Sequence, residues 1–333
     1  MTPDISIVIP AHEVRRCIGP AIDSALRQEG VSLEAIVVDD GSRDGTANEI
    51  DRFAGDPRLR VVRQENQGLP GARNAGVRAA CARHIGFLDG DDLWEPAKAR
   101  RHVELLDRRP DVDLSYSWWR TIDEDGRDLG RRWTVPPGRV RGGLGFEGLL
   151  LENFAGNGST VVCRRDALLR AGMFDDAMRQ GCEDLDAWLR IAALRDGNIA
   201  LVPEVLTSYR MQSGQMARDW RRILAGWEAA VAKARRAHPE RVAKVEPSAR
   251  ARLDRYVCYI AYQNGDHAAA RRIVARGWRS APAVFAADER AWLLAAAIAA
   301  QALLPEAWHS RLAGIAKGRR WRPEPADPAA PDD

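Results

Sequence analysis

The chain of 333 residues is long enough for one large domain and a smaller one, with a sizeable hydrophobic core. Its 50 Lys and Arg nearly balance its 47 Asp and Glu, and the net charge of +3 gives no reason to expect a nucleic acid as a partner. The five cysteines are odd in number, far apart and never in a C-x-x-C pair, which argues against a disulfide framework or a zinc site.

The sequence pattern contains no clear signal for export or membrane insertion. Residues 1–4 lead directly into a predicted strand, without the regions of a signal peptide. The longest apolar stretch, Trp292 to Leu304, is interrupted by Gln301 and is too short to span a bilayer, so we expect a buried helix there. Together with reduced thiols, these features predict a cytoplasmic location.

The N-terminal part of the chain alternates short apolar runs with helical segments. Strands are predicted at residues 5–10, 34–38, 59–62 and 84–88, with helices between them. This alternation is typical of βαβ units and a parallel sheet. Ligands of such sheets bind outside the carboxyl ends of the strands, so the turns that follow these strands are expected to form a site.

Three carboxylates crowd the end of the fourth predicted strand. An apolar run up to Leu88 is followed by Asp89, Gly90, Asp91 and Asp92. Like charges this close are costly unless a cation neutralises them, and ligand sets made only of oxygen favour Mg²⁺ or Mn²⁺. Taken alone, these four residues are equally compatible with an acidic surface turn.

The rest of the chain is less regular. Strands are predicted near residues 113–119, 160–163 and 198–205, and a loop over 131–145 is long enough to act as a lid or to be a simple connection. A helix with three acids in its first turn is predicted to begin near Gly181. From about Arg218 to Arg319 the sequence predicts only helices.

Four stretches, in this order, resemble the family 2 glycosyltransferases of GT-A fold, which use nucleotide-sugars. The resemblance covers roughly residues 4–213, and it rests on the segments 7–28, 37–46, 68–92 and 172–190. It implies an α/β fold with a mostly parallel, Rossmann-like sheet flanked by helices, and thus a catalytic domain at 1–215. No family motif covers the rest of the chain, where the sequence itself predicts an all-helical region at 216–320 and, from its Pro, Ala and Asp content, a disordered tail at 321–333.

The activity implied by this resemblance is a metal-dependent, inverting transfer of a sugar from a nucleoside diphosphate-sugar, with UDP as the expected nucleotide. The acceptor would be a hydroxyl of a saccharide or glycolipid, as in the synthesis of cell-surface polysaccharides. Asp91 is the expected direct ligand of Mn²⁺ or Mg²⁺, with Asp89 directed toward the ribose or the metal and Asp92 behind them. The metal would act as a Lewis acid on the departing nucleotide.

Other residues are expected to hold the donor. Asp40 can accept the imide N–H of a uracil, and Arg73 can pair with a phosphate at the start of a helix. His12 occupies a position where relatives usually have an aromatic ring that stacks on the base, and an ordinary loop histidine is the alternative. The donor site is expected to include these residues together with Gly90 and the end of the first strand, namely Pro10, Ala11 and Glu13.

The acceptor side is expected to supply one base. Asp184 is the candidate to remove the proton of the acceptor hydroxyl, with Glu183 or Asp186 as alternates. Acids in a first helical turn can instead simply complement the helix dipole. Trp118 is a candidate platform for an acceptor sugar, as are Trp119 and Trp133, and core packing is the alternative for each.

Three other functions remain open at this point. A nucleotide-sugar-binding subunit without activity would bind UDP and metal but transfer nothing. A sugar nucleotidyltransferase is less compatible, because Pro10 to Glu13 lacks a glycine-rich phosphate loop, and an NAD-binding domain lacks its Gly-x-Gly-x-x-Gly pattern. The C-terminal helices could dock a partner, extend the acceptor site or lie peripherally on a membrane through arginines such as Arg221, Arg222, Arg235, Arg236, Arg271 and Arg272.

Overall fold

The computed structural model describes residues 2–212 and 218–303. Its centre is a nine-stranded sheet in the order β3-β2-β1-β4-β8-β6-β9-β5, with β7 paired to β6. The strands are β1 (Ile5–Ala11), β2 (Leu33–Asp39), β3 (Leu59–Arg63), β4 (His84–Phe87), β5 (Leu93–Trp94), β6 (Leu114–Ile122), β7 (Asp128–Trp133), β8 (Val161–Arg164) and β9 (Ile199–Arg210).

Strands β1 to β4 form the parallel part of the sheet, as the sequence predicts. β1 lies between β2 and β4, and its register pairs Ala11 with Asp39 and Val8 with Phe87. The apolar runs that form β1, β2 and β4 are buried on both faces, whereas β3, at the edge of the sheet, is only partly buried. This arrangement brings the ends of β1, β2 and β4 to one edge.

The second half of the sheet is mixed. β8 pairs antiparallel with both β4 and β6, β5 pairs antiparallel with β9, and only β6 and β9 are parallel there. Four of the eight pairings are therefore antiparallel, so the parallel arrangement expected for most of the sheet is limited to β1–β4 and to the β6–β9 pair. The predicted α/β class with a helical C-terminal region is confirmed.

Along the chain, the helices that flank the sheet alternate with the strands. The predicted loop at 131–145 begins later than expected, because residues up to Trp133 belong to β7, which forms a hairpin with β6; Pro137–Arg139 then forms a short 3₁₀ turn. The flanking helices are α1 (Ile18–Leu26), α2 (Thr46–Asp51), α3 (Gly68–Ala79), α4 (Lys98–Arg108), α5 (Phe146–Glu152), α6 (Arg165–Arg170) and α7 (Glu183–Ala192).

The described part of the C-terminal region is entirely helical, as predicted. Its helices are α8 (Trp220–Ala237), α9 (Pro239–Gln263), α10 (His267–Ser280), α11 (Pro282–Ala286) and α12 (Glu289–Leu303). α12 is buried only on one face, because Trp292 and Leu293 are 54% and 71% exposed, which corrects the prediction of a fully buried helix. The predicted tail at 321–333 lies outside the described residues.

Two further expectations can be compared with the structure. All five cysteines are free, as their number and spacing predict. Within residues 2–212 and 218–303, no helix combines the length and apolar character needed to cross a membrane.

Candidate active site

The acidic segment after β4 is held against the end of β1. The Leu88 N–H donates to the Val8 carbonyl oxygen at 2.9 Å, which continues the parallel pairing by one residue. Gly90 then passes so close to β1 that a Cβ atom there would lie 3.0 Å from the carbonyl oxygen of Pro10. This close approach brings Asp89 and Asp91 to the sheet edge predicted from the sequence.

A buried arginine links the acidic segment to the helix that carries the candidate base. Arg73 in α3 is 1% exposed, and its Nη2 donates to Asp89 Oδ1 at 2.7 Å. Its Nη1 donates to Glu183 Oε1 at 2.6 Å. Burial by itself would lower the pKa of Arg73, but the charges of the neighbouring carboxylates outweigh burial and raise it. Both Nη atoms of Arg73 therefore already bind carboxylates, whereas the sequence predicts that Arg73 binds a phosphate of the donor.

Asp184 lies in the first turn of α7, directly after Glu183. Its Oδ1 accepts a hydrogen bond from the Leu185 N–H at 2.7 Å, and its side chain remains partly accessible. Burial among protein atoms and the neighbouring Glu183 charge raise the pKa of Asp184 to about 7, against the opposing effect of Arg73. A carboxyl group that titrates near neutral pH is suited to general-base catalysis.

The two alternates for the base are engaged elsewhere. Glu183 is 4% exposed and ion-paired to Arg73, and burial raises its pKa despite this partner. Asp186 is 2% exposed and pairs with Arg190 at 2.7 Å and with Lys233 of α8 at 2.9 Å. Asp186 thus contributes to the packing of α7 on α8 and does not face the acidic segment, which removes it as an alternate base.

Asp91 and Asp92 have different surroundings although they are neighbours. Asp92 is fully buried, and its Oδ1 accepts the Arg210 N–H at 2.9 Å. Burial, then the charges of Asp91 and Asp89, raise its pKa well above the usual range. Asp91 is partly exposed, and its Oδ2 accepts a hydrogen bond from Gln212 Nε2 at 3.1 Å.

The described residues contain no group of three His, Cys, Asp or Glu side chains arranged to hold a metal on their own. Asp89 is paired with Arg73, and Asp92 is turned into the protein. The three-carboxylate set predicted from the sequence is therefore not preassembled. A metal ion could use Asp91 and the second oxygen of Asp89, Oδ2, since Arg73 pairs with Oδ1.

Asp40, which the sequence predicts to bind the uracil base, is almost fully buried. It is 2% exposed, and its carboxylate accepts from Gln64 Nε2 at 2.7 Å, from the Gln67 N–H at 2.8 Å and from the Gly68 N–H at 2.9 Å. It therefore fixes the start of α3 to the end of β2. A carboxylate has about four acceptor positions, so three are filled and one is left.

The remaining donor-side residues lie around Asp40. The Asp40 N–H donates to the Ala11 carbonyl oxygen at 2.9 Å, and Pro10 and Ala11 are buried within β1. His12 is exposed, with its Nδ1 3.0 Å from the Asp40 carbonyl oxygen. Glu13 Oε1 accepts the Arg43 N–H at 2.7 Å, which ties the β1 and β2 loops together.

The tryptophans favour the packing alternative. Trp118 Nε1 donates to the Val135 carbonyl oxygen at 3.2 Å, and the ring packs against the main core. Trp119 and Trp133 stack on each other across the β6–β7 hairpin with ring centroids 5.3 Å apart. The expected role of Trp118 as a sugar platform is therefore not supported by its position.

A turn at residues 155–160, named here the clamp turn, supplies contacts that the sequence did not predict. Its Asn157 Nδ2 donates to Asp92 Oδ2 at 3.3 Å, and its Ser159 Oγ accepts the Asp89 N–H at 3.0 Å. A Cβ atom on its Gly158 would lie 2.4 Å from an Arg73 nitrogen. Asn-Gly-Ser reads as an ordinary turn, and only the antiparallel entry of β8 beside β4 brings it to the acids.

The fold and this edge together define an α/β enzyme whose site lies at the carboxyl ends of parallel strands. Acidic strand ends lie beside helix-borne carboxylates, one of which titrates near neutral pH. Residues 6–175, just over half of the chain, match glycosyl transferase family 2. The chain belongs to this family, which confirms the predicted family and the predicted enzyme class, a glycosyltransferase.

Individual relatives are similar to parts of the chain. The succinoglycan biosynthesis protein ExoO of Rhizobium meliloti is 44% identical over 128 residues, which cover 38% of this chain and 36% of that protein. The putative teichuronic acid biosynthesis glycosyltransferase TuaG of Bacillus subtilis is 28% identical over 229 residues, or 68% of this chain and 86% of TuaG. The matches to ExoO and to glycosyltransferase EpsJ of B. subtilis span a little over a third of those proteins.

Solved structures share the fold at low identity. The mannosyltransferase PcManGT of Pyrobaculum calidifontis, in complex with GDP-Man and Mn²⁺, superposes with a TM-score of 0.60 at 20% identity, covering 96% of this chain and 86% of that one. S. aureus TarS 1–349 in complex with UDP-GlcNAc gives a TM-score of 0.56 at 16% identity, covering 86% and 83%. These similarities support the GT-A type of fold.

Proposed function

We propose that this chain transfers a sugar, with inversion, from a nucleoside diphosphate-sugar to a hydroxyl of a saccharide or glycolipid, in the synthesis of a cell-surface polysaccharide. The observation that carries this proposal is the position of Asp184 in the first turn of α7, beside Glu183, which Arg73 links to Asp89 of the acidic strand end. Relatives named for succinoglycan, teichuronic acid and chondroitin synthesis support the polysaccharide context. UDP is the proposed nucleotide, since a solved relative of the same fold binds UDP-GlcNAc.

The residues present fit a divalent metal bound together with the donor. Mg²⁺ and Mn²⁺ sites in nucleotide enzymes commonly use one or two carboxylates, with phosphates and water completing the coordination. Asp91, with Asp89 beside it, supplies that number of oxygen ligands, and no larger cage is needed. When bound, the metal would neutralise the diphosphate and so stabilise the departing nucleotide.

The chain's own residues perform the acid–base step. Asp184 in its ionised form removes the proton of the acceptor hydroxyl as that oxygen attacks the anomeric carbon. Because one base acts on the face opposite the leaving nucleotide, the configuration at that carbon inverts. Arg73 acts through Asp89 and Glu183, because its ion pairs with both fix the acidic strand end to the helix that carries the base.

A panel of UDP- and GDP-sugars, with an oligosaccharide acceptor mixture and detection of the released nucleoside diphosphate, tests this function. Release should require Mn²⁺ or Mg²⁺ and should fall by at least about 100-fold in Asp184→Asn and in Asp91→Ala. Asp111→Asn is the matched control, since Asp111 is an exposed residue that pairs with the surface Arg109, and the change should leave release unchanged. Full turnover in both site variants would refute the assignment, and metal-dependent UDP binding without any release would favour the non-catalytic subunit.

We also propose that the helical region contacts an anionic membrane surface peripherally. Residues 218–303 contain 16 Lys and Arg against 8 Asp and Glu, although the whole chain carries only +3. Exposed Trp292 and Leu293 lie in the same region. Co-sedimentation with phosphatidylglycerol vesicles should exceed that with phosphatidylcholine vesicles and should decrease in 0.5 M salt, roughly three times physiological ionic strength. Equal pelleting with both lipids would remove this proposal.

A further inference from the structure

Lys98 is a fully buried lysine outside the residues assigned to the reaction. It is the first residue of α4 and is 0% exposed, with its Nζ 5.0 Å from the ring centroid of Trp94. It donates to Ser117 Oγ at 2.9 Å and to the Thr160 carbonyl oxygen at 3.0 Å. Among the described residues no carboxylate pairs with it, which is unusual for a buried lysine.

Acceptor atoms surround the amine of Lys98 on three sides. Ser115 Oγ donates to the Val162 carbonyl oxygen at 3.1 Å, so it accepts from His102 Nδ1–H at 2.8 Å. His102 Nε2 then carries the lone pair and accepts from Lys98 Nζ at 3.3 Å. Ser117 Oγ and the Thr160 carbonyl oxygen are the other two acceptors, so the position of the amine is fixed by three hydrogen bonds. Burial lowers the pKa of Lys98 well below its usual range.

The Thr160 carbonyl group lies at the end of the clamp turn, which contacts Asp89, Asp92 and Arg73 on its other side. The turn is braced internally, because Thr160 Oγ1 donates to the Asn157 carbonyl oxygen at 2.8 Å. Its outer anchors include Lys98 and Trp94, whose Nε1 donates to the Ser159 carbonyl oxygen at 2.8 Å. Thr207 Oγ1 donates to the same oxygen at 3.2 Å. A displacement at Thr160 is therefore passed directly to the residues that face the acids.

We propose that Lys98 is a positioning residue for the active site: its buried amine fixes the clamp turn and thereby sets the positions of Asp89 and Asp92. The inference rests on the proposed function for its effect on turnover, but its structural part does not. Partners that orient the residues around a metal or reacting group typically change activity by about 10- to 100-fold when they are removed. Lys98 reaches these residues through one turn, so an effect of this size is expected.

The test compares Lys98→Met, which keeps the length of the side chain but removes its donors, with Val103→Ala. Val103 is a 7% exposed core residue of the same helix, and its apolar side chain has no donor that could hold the clamp turn. Lys98→Met should speed amide hydrogen exchange of the peptide covering 153–163 by at least about 10-fold and lower kcat by about 10- to 100-fold with little change in KM for the acceptor. Val103→Ala should lower the urea midpoint with kcat unchanged.

Trp94→Phe is the second variant, because it keeps the lysine but removes the indole donor to the Ser159 carbonyl oxygen. It should change exchange and kcat in the same direction as Lys98→Met, and this keeps the test decisive if Lys98→Met does not fold. If both variants leave the rate of amide hydrogen exchange in the clamp turn unchanged, the inference is wrong. Faster exchange with an unchanged kcat also overturns it. If the wild-type chain releases no nucleoside diphosphate from any donor, the proposed function fails, whereas the exchange of the clamp turn still tests the role of Lys98.

Discussion

Replacing Arg73 by methionine should strongly destabilise the fold through the charge that it leaves behind. The side chain is 1% exposed, and its partner Glu183 has a side chain only 6% exposed, so water cannot replace the lost guanidinium there. Asp89 is 22% exposed on its side chain and can be hydrated in part. Removing one member of a buried ion pair costs about 3–5 kcal/mol of unfolding free energy, and we expect Arg73→Met to lie in that range near pH 8.

This cost should depend on pH with a defined sign. Without Arg73, burial raises the folded-state pKa of Glu183 further above its unfolded value, so the folded form binds the extra proton more readily. The variant therefore regains stability as the pH falls toward the unfolded pKa, and loses it as the pH rises. Urea titrations followed by tryptophan fluorescence at pH 5 and pH 8 measure both values against the wild-type chain.

The matched control for this experiment is Arg127→Met. Arg127 also pairs with an aspartate, but the side chains of the pair are 75% and 68% exposed, so the loss should stay below about 1 kcal/mol. If Arg73→Met costs no more than Arg127→Met, or if its cost is the same at both pH values, the buried ion-pair chain is not what stabilises this edge of the sheet.

Three further outcomes follow from the described contacts. The kcat/KM of sugar transfer should fall about tenfold per pH unit below an apparent pKa near 7, because Asp184 must be ionised to act as a base; a rate independent of pH between 5.5 and 8 would exclude this role. Gly226→Ala should cost about 1–3 kcal/mol in urea unfolding and also lower kcat, since its Cβ would lie 2.4 Å from the Gly181 carbonyl oxygen just before the base; a normal kcat would show that the loop adjusts freely. Asp92→Asn should gain stability relative to wild type as the pH rises from 5 to 8, because burial raises the pKa of Asp92 and its ionisation opposes folding; a constant difference would contradict this.

The parts of the fold that the sequence predicted are those with strong local patterns. Runs rich in β-branched residues, such as Ile5–Ile9, indicate buried strands, and the acids that follow such strands were expected to meet at one sheet edge. The partners of Arg73 could not be predicted, since Glu183 lies 110 residues away and meets it only through the tertiary packing of α7. The clamp turn was missed for the same reason: the antiparallel insertion of β8 between β4 and β6 has no local signature in the sequence.

Asp40 and Trp118 show a second limit of sequence reasoning. Each residue type suited the role expected of it, but the hydrogen bonds of Asp40 are mostly filled by α3, and those of Trp118 by Val135. Residue type indicates which interactions a side chain can make, whereas its neighbours determine how many remain available. In contrast, Asp184 was chosen from the sequence alone, and its environment raises its pKa toward the range a base requires.

The largest hydrophobic cluster of the protein includes Trp227 and Val231 of α8 together with Phe87 of the central sheet. A truncated chain that ends at residue 215 would therefore expose hydrophobic residues of the catalytic region that α8 otherwise covers. Chimeras that exchange C-terminal regions between relatives would therefore need to keep α8 with the catalytic region and place the junction beyond it.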